Sequence, residues 1–242
     1  VTVAAVNDAP ATSGAGATLA YTEGSSATVI DSSLTLSDVD SNNLTGATVT
    51  ISGNFRSGGE DVLAFTAASG SGITGSFNNS TGVLTLSGTT TKALYEQTLE
   101  SVTYQNTSDT PSTSARTITW QVNDGSGANN LSSAVTSTVA VNAVNDAPVV
   151  SGAGATLAYT ENASATVIDA DLTLSDVDSN NLTGATVTIS ENFQSGGEDV
   201  LAFTAAGGSN ITGSFNNSTG VLTLSGTTTK ALYEQTLESV TY

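Results

Sequence analysis

Residues 73–87 read Ile-Thr-Gly-Ser-Phe-Asn-Asn-Ser-Thr-Gly-Val-Leu-Thr-Leu-Ser, and residues 211–225 read the same letters. Two runs of strand formers, 73–77 and 83–87, flank Asn78-Asn79-Ser80-Thr81-Gly82. A Gly-bearing loop between two such runs is the signal for an antiparallel hairpin. The hairpin predicts β structure, and its second occurrence predicts a repeat.

Moving outward, strands are expected within 17–30, over 44–51 and over 61–66. Residues 34–40 read LTLSDVD, with Leu34 and Leu36 pointing one way and Asp38 and Asp40 following if the extended geometry continues. Asp38 and Asp40 would then share a face, because side chains repeat every two residues. Residues 91–100 (TKALYEQTLE) are the one helical candidate, with Tyr95, Leu99 and Val102 at helical spacing. Residues 116–123 (RTITWQVN) and 131–141 flank Asp124-Gly125-Ser126-Gly127-Ala128 as a long hairpin. Its Trp120, the only tryptophan, is expected to anchor the core. About seven to nine strands at short intervals predict an all-β, immunoglobulin-like sandwich.

The copies are related by a constant shift. Asn7 matches Asn145, Asp38 matches Asp176 and Tyr104 matches Tyr242, without a gap. Twelve of the 104 aligned positions differ, among them Gly24/Asn162, Gly53/Glu191 and Arg56/Gln194. A period this long is a whole domain rather than a turn of a solenoid. Ala-Val-Asn-Asp-Ala-Pro at 5–10 recurs at 143–148 and reads as the joint between copies. The expected domains are therefore 1–10, the last strand of a preceding repeat with its linker; 11–142, a complete sandwich; 143–148, a linker; and 149–242, a second repeat lacking its last two strands.

Composition narrows function. The chain has 242 residues, 38% apolar but only 5% aromatic, with Asp and Glu numbering 22 against four Lys and Arg. The net charge of −18 argues against nucleic acid, whose phosphates need cations. Cys, His and Met are absent, which removes disulfides and thiol or imidazole catalysis. No apolar run is long enough to span a bilayer. Carboxylate pairs can hydrolyse glycosides, but the acids recur at domain ends with no poised base beside them, so an enzyme is not expected. The acid excess reads either as solubilising surface or as clusters that need a cation.

Three places concentrate oxygen ligands of the kind Ca²⁺ takes. One is Asp38-x-Asp40 with Asn42 and Asn43, repeated as Asp176-x-Asp178 with Asn180 and Asn181. It is not an EF-hand, because Val49 and Val187 stand where that loop needs its Glu. The second is the joint, with Asn7 and Asp8 in one copy and Asn145 and Asp146 in the other. The third is Asp124, at the tip of the last hairpin. Each has a plainer reading: a polar turn, a linker, and an Asp-Gly turn. Gly58-Gly59-Glu60-Asp61 reads as a turn entering a strand, with a further calcium contact as the alternative.

The order of these pieces resembles a cadherin-like repeat. Glu23 and Glu161 match its Glu in the first strand region, and the two Asp-x-Asp turns match its own. FNNSTGVLT (77–85) matches its hairpin, VNDG (122–125) its late turn, and VNDAP its closing linker. The chain is also similar to the tandem repeats of very large bacterial surface adhesins of the type I-secreted, RTX type. The resemblance implies an extracellular, calcium-stiffened spacer involved in adhesion and biofilm formation, whose partners are neighbouring repeats. It implies one joint using Glu23, Asn145, Asp146, Asp176 and Asp178, and an upper site using Asn7, Asp8, Asp38, Asp40 and Asp124. The chain departs from cadherins after the hairpin. Their Leu-Asp-Arg-Glu is missing and only Glu96 and Glu100 could substitute, so fewer ions per joint are expected. The alternative is a module that binds polysaccharide or another copy of itself. Membrane insertion is not expected.

Overall fold

A computed structural model describes all 242 residues, and the chain divides inside the second AVNDAP stretch into Val1–Val144 and Asn145–Tyr242. The first unit contains β1 (Ala11–Ser13), β2 (Thr18–Thr22), β3 (Thr28–Val29), β4 (Thr35–Ser37), β5 (Asn43–Gly53) and β6 (Asp61–Ala64). It continues with β7 (Thr74–Asn78), β8 (Val83–Thr91), α1 (Lys92–Glu100), β9 (Thr103–Asn106), β10 (Arg116–Asn123) and β11 (Val135–Asn142). The expected all-β sandwich is what forms. One sheet has the order β2-β11-β10-β5-β8-β7, the other β3-β9-β6, and β1 pairs with β4 at the side. All pairs are antiparallel except β2 with β11.

Period-two patterning places the core. Leu84 and Leu86 of β8, Val49 and Ile51 of β5, Ile118, Trp120 and Val122 of β10, and Val139 and Val141 of β11 are all buried. They meet Leu63 and Tyr104 of the opposite sheet in one cluster. Tyr21 and Tyr104 bridge the sheets edge to face, with ring centroids 5.1 Å apart. The helix forms where its pattern predicts and buries Tyr95 and Leu99. Tyr95 donates to Gly88 O at 2.6 Å, and burial pushes its hydroxyl pKa up to about 12.

The 73–87 hairpin also forms as read. Asn78 Oδ1 accepts from the Ser80 and Thr81 amides, and Gly82 closes the loop at φ +71°. That left-handed conformation favours glycine, and a Cβ there would meet the Phe55 ring at 2.9 Å.

Two expectations need correction. The strand over 34–40 stops at Ser37, so Asp38 and Asp40 do not alternate along a strand. Asp38 Oδ1 instead accepts from the amides of Asp40 and Ser41, a side-chain turn that competes with extension. Asp124 is likewise not at a tight Asp-Gly tip. It begins the long connection between β10 and β11 and is only 8% exposed.

The second unit contains β12 (Val149–Ser151), β13 (Thr173–Ser175), β14 (Asn181–Thr188), β15 (Thr212–Asn216), β16 (Val221–Thr229) and α2 (Lys230–Glu238). It forms the sheet β14-β16-β15 and the pair β12-β13. β14 pairs with β16.

Candidate metal site

Three segments of the first unit converge at one end of its sandwich: the residues before β1, the turn between β4 and β5, and the connection between β10 and β11. Asn7 is the pin. Its Nδ2 donates to Asp124 Oδ2 at 2.9 Å and to the carbonyls of Ala128 and Asn129. Its Oδ1 accepts from Ser126 Oγ at 2.7 Å. The next residue reaches the other loop, where the Asp8 amide donates to Asp40 Oδ2 at 2.9 Å. Asn7 is thus linked to Asp124, and its neighbour Asp8 to Asp40.

Asp38 has the least ordinary surroundings of the five. Its Oδ1 takes two backbone N–H groups, while Oδ2 is buried with no hydrogen-bond partner. Lys92, at the start of α1, donates to Asp38 O and Ser41 O at 2.7 Å each and clamps the turn. Burial alone would raise the Asp38 pKa. The amides of Ser41 and Asp40, the Asp40 side chain and the nearby Lys92 charge together hold it below the ordinary value.

These donors were tested against a calcium ion. They are all oxygens, as a hard cation requires, and Asp38 Oδ2 is buried without a hydrogen-bond partner. The carboxylates do not, however, converge on a point. No group of three acidic side chains lies close enough together to hold a metal ion. Amide hydrogens occupy the facing oxygens instead, with Asn7 on Asp124 and the Asp8 N–H on Asp40.

In the second unit the corresponding turn is the same. Asp176 Oδ1 accepts from Asp178 N at 3.0 Å and from Ser179 N at 2.8 Å, and Asp178 Oδ2 accepts from the Asp146 amide. Lys230 Nζ donates to Asp176 O. The Asn145 amide donates to Asp146 O, as the Asn7 amide donates to Asp8 O. Glu23 lies at the other end of the first unit. Its Oε2 accepts from the Val144 amide at 2.7 Å, and its own amide donates to Asn142 O at 2.9 Å, so it fastens the exit of β11.

The sequence reading passed over one buried cluster. Arg116, the first residue of β10, is fully buried. Its Nε and Nη2 donate to Asp61, its Nη1 to the carbonyls of Ser112 and Ser114, and Glu60 lies 3.7 Å away. Tyr104 Oη and Asn106 Nδ2 complete the shell of Asp61 at 2.5 and 2.8 Å. Burial, together with the Asp61 carboxylate, pushes the Tyr104 hydroxyl pKa well up. The available signal was compositional: in a chain with four bases, one heads a strand of core residues.

No protein-family model matches the chain. A stretch of 112 residues, 45% of the chain, is 38% identical to Halomucin from Haloquadratum walsbyi (strain DSM 16790 / HBSQ001). The chain spans about 1% of that protein's length. Among solved structures, it is similar to Protocadherin Gamma B2 extracellular cadherin domains 1–5, with 14% identity over 93% of this chain and 33% of that one, at a TM-score of 0.34. Protocadherin Gamma B7 extracellular cadherin domains 1–4 give 14% identity over 92% and 42%, at a TM-score of 0.31.

Proposed function

We propose that the chain is a calcium-stiffened spacer from a large extracellular surface protein of the adhesin kind, in which β-sandwich repeats hold a binding region away from the cell. One observation carries this reading. In the first unit, Asn7 and Asp8 of the AVNDAP stretch are fastened to the Asp38–Asp40 turn and to Asp124. The stretch that joins repeats in the sequence thus ends on acidic loops. The repetition, the acid excess and the absence of cysteine support the same reading.

The sequence resemblance assigns Asn7, Asp8, Asp38, Asp40 and Asp124 to the ion in the first unit; because the carboxylates do not converge as they stand, binding would have to draw them together. Calcium would supply the positive charge that these carboxylates otherwise lack. The residues themselves do the rest: Asp38 presents its orphaned Oδ2, and Asn7 ties the entering chain to the connection after β10. Asn145, Asp146, Asp176 and Asp178 would form the corresponding set, with Glu23 as the ligand from the preceding repeat, an assignment taken from the sequence resemblance. Extracellular modules of this kind bind with dissociation constants of about 10⁻⁴ to 10⁻³ M. The repeat binding polysaccharide or another copy of itself is the alternative reading, and no observation favours it over the spacer.

Calorimetric titration of the chain with Ca²⁺ tests the proposal. Saturable heat that is lost in Asp40→Asn and in Asp124→Asn is the expected result. Heat that survives both substitutions removes these residues from the site, and no heat at millimolar calcium removes the calcium.

A further inference from the structure

The edges of the two sheets in the first unit are not alike. β6 opens on Asp61 with Glu60 before it, β2 runs into Glu23, and β3 has only two residues. Charge and shortness at an edge discourage pairing with another chain. β7 ends the six-stranded sheet and pairs with β8 alone, in unbroken register from Thr74 to Asn78. Its residues, TGSFN, include no charge and no proline. β15 repeats it with the same five residues, paired with β16 alone at the edge of its own sheet. Gly75 and Gly213 are exposed. A glycine has only backbone to expose, so both strands lie open to water along the chain itself.

Charge decides what can approach this edge. The chain carries −18, yet residues 62–91 and 200–229 hold no charged side chain. A second copy of so acidic a chain is repelled wherever acids face acids, and is not repelled here. The strand also matches itself. In an antiparallel pair of two β7 strands centred on Ser76, Thr74 stands opposite Asn78 and Phe77 opposite Gly75. Gly75 is bare on the face where Phe65 lies; a Cβ there would sit 3.0 Å from the Phe65 ring. Each Phe77 would thus cover the other copy's glycine, a cross-strand pairing that stabilises edge strands. β15 offers the same match, with Phe215 opposite Gly213 and Phe203 at its side.

We propose that β7 and β15 are docking edges for a second copy of this chain, which adds its own copy of the strand antiparallel, about an axis through Ser76 or Ser214. Backbone hydrogen bonds supply the affinity, and the Gly–Phe match sets the register. The result is side-by-side association of chains, and it does not rest on calcium. Five residues pair weakly, so the recurrence of the strand matters: a second pairing adds avidity without a new kind of contact.

The test is sedimentation of the whole chain over a range of concentrations, at an ionic strength that screens its general repulsion. Reversible self-association is expected, with amide exchange slowed over 74–78 and 212–216 as concentration rises. Ser76→Asp with Ser214→Asp sets like charges directly opposite each other and should weaken association about fivefold at each pairing. Ser76→Lys with Ser214→Lys should do the same, and an equal mixture of the two variants should associate again. Thr85→Asp with Thr223→Asp, on the neighbouring strands, should change little. Unaltered Trp120 fluorescence checks that the first unit remains folded in each variant that alters it. A chain that stays monomeric at millimolar concentration overturns the proposal and leaves the edge to a different extended partner. Protection elsewhere, a mixture that does not recover, or equal weakening by the Thr85 and Thr223 changes overturns it too.

Discussion

Asn43–Thr50 and Asn181–Thr188 carry the same eight-letter text, NLTGATVT, and live in different surroundings. In β5, Leu44 and Val49 are completely buried; in β14, Leu182 and Val187 are only half-buried. Both segments form strands, because pattern and propensity are local. Burial is not local. It arrives with the neighbouring strand, as β10 lies beside β5. Two copies of one sequence in one chain thus separate what a segment prefers from what its neighbours supply.

The largest expected effect concerns the buried cation that only the first unit has. Arg116→Leu leaves Asp61 charged and buried, and should cost the first unit about 3–5 kcal/mol. Trp120 is the sole tryptophan and is fully buried, so its fluorescence during urea unfolding reports on this unit alone. A loss below about 1 kcal/mol would show that the cluster is dispensable. Next come paired substitutions. Leu44→Ala should cost about 2–5 kcal/mol and Leu182→Ala clearly less, since Leu182 is already partly in water. Equal costs, read by amide exchange in each unit, would break the comparison.

Acid should act on both units. Burial works against the charge of Asp31, but hydrogen bonds from Ser137, Ala17, Ser33 and Gly16 outweigh it and lower its pKa. A depressed carboxylate contributes stability that is full above the unfolded value near ~3.9 and is lost as pH falls through the lower folded value. Asp169, the counterpart, has no Ser137 beside it; backbone amides from Asp171, Ala155 and Gly154 lower its pKa. Asp31→Asn should therefore flatten the acid limb of the first unit's stability curve. The smallest effect should be one that does not distinguish the units. Gly82→Ala and Gly220→Ala each place a Cβ at positive φ, +71° and +70°, beside a phenylalanine ring. The hairpin is complete in both units, so each should lose about 1–2 kcal/mol.

How much could be read from the letters follows the same division. The 73–87 hairpin, the helix from Lys92 and the core position of Trp120 were legible, because each rests on short-range pattern. The Asp38–Asp40 geometry was not, because an Asp side chain can cap its own turn and stop a strand that alternation would continue. Arg116 escaped for a different reason. Its burial depends on Asp61, Tyr104 and Asn106, which come from distant strands. The order of motifs pointed to Asn7, Asp8, Asp38, Asp40 and Asp124 as ligands, and the loops link Asn7 to Asp124 and Asp8 to Asp40. That Asn7 pins the cluster, with its amide on Asp124, was visible only once the loops were in place.

The proposal of a calcium-stiffened spacer is tested most directly by small-angle scattering of the chain in chelator and in millimolar Ca²⁺, alongside Asp40→Asn. The account predicts that calcium extends and narrows the distribution of dimensions in the unaltered chain and does so less in the variant. Identical profiles with and without calcium would contradict it.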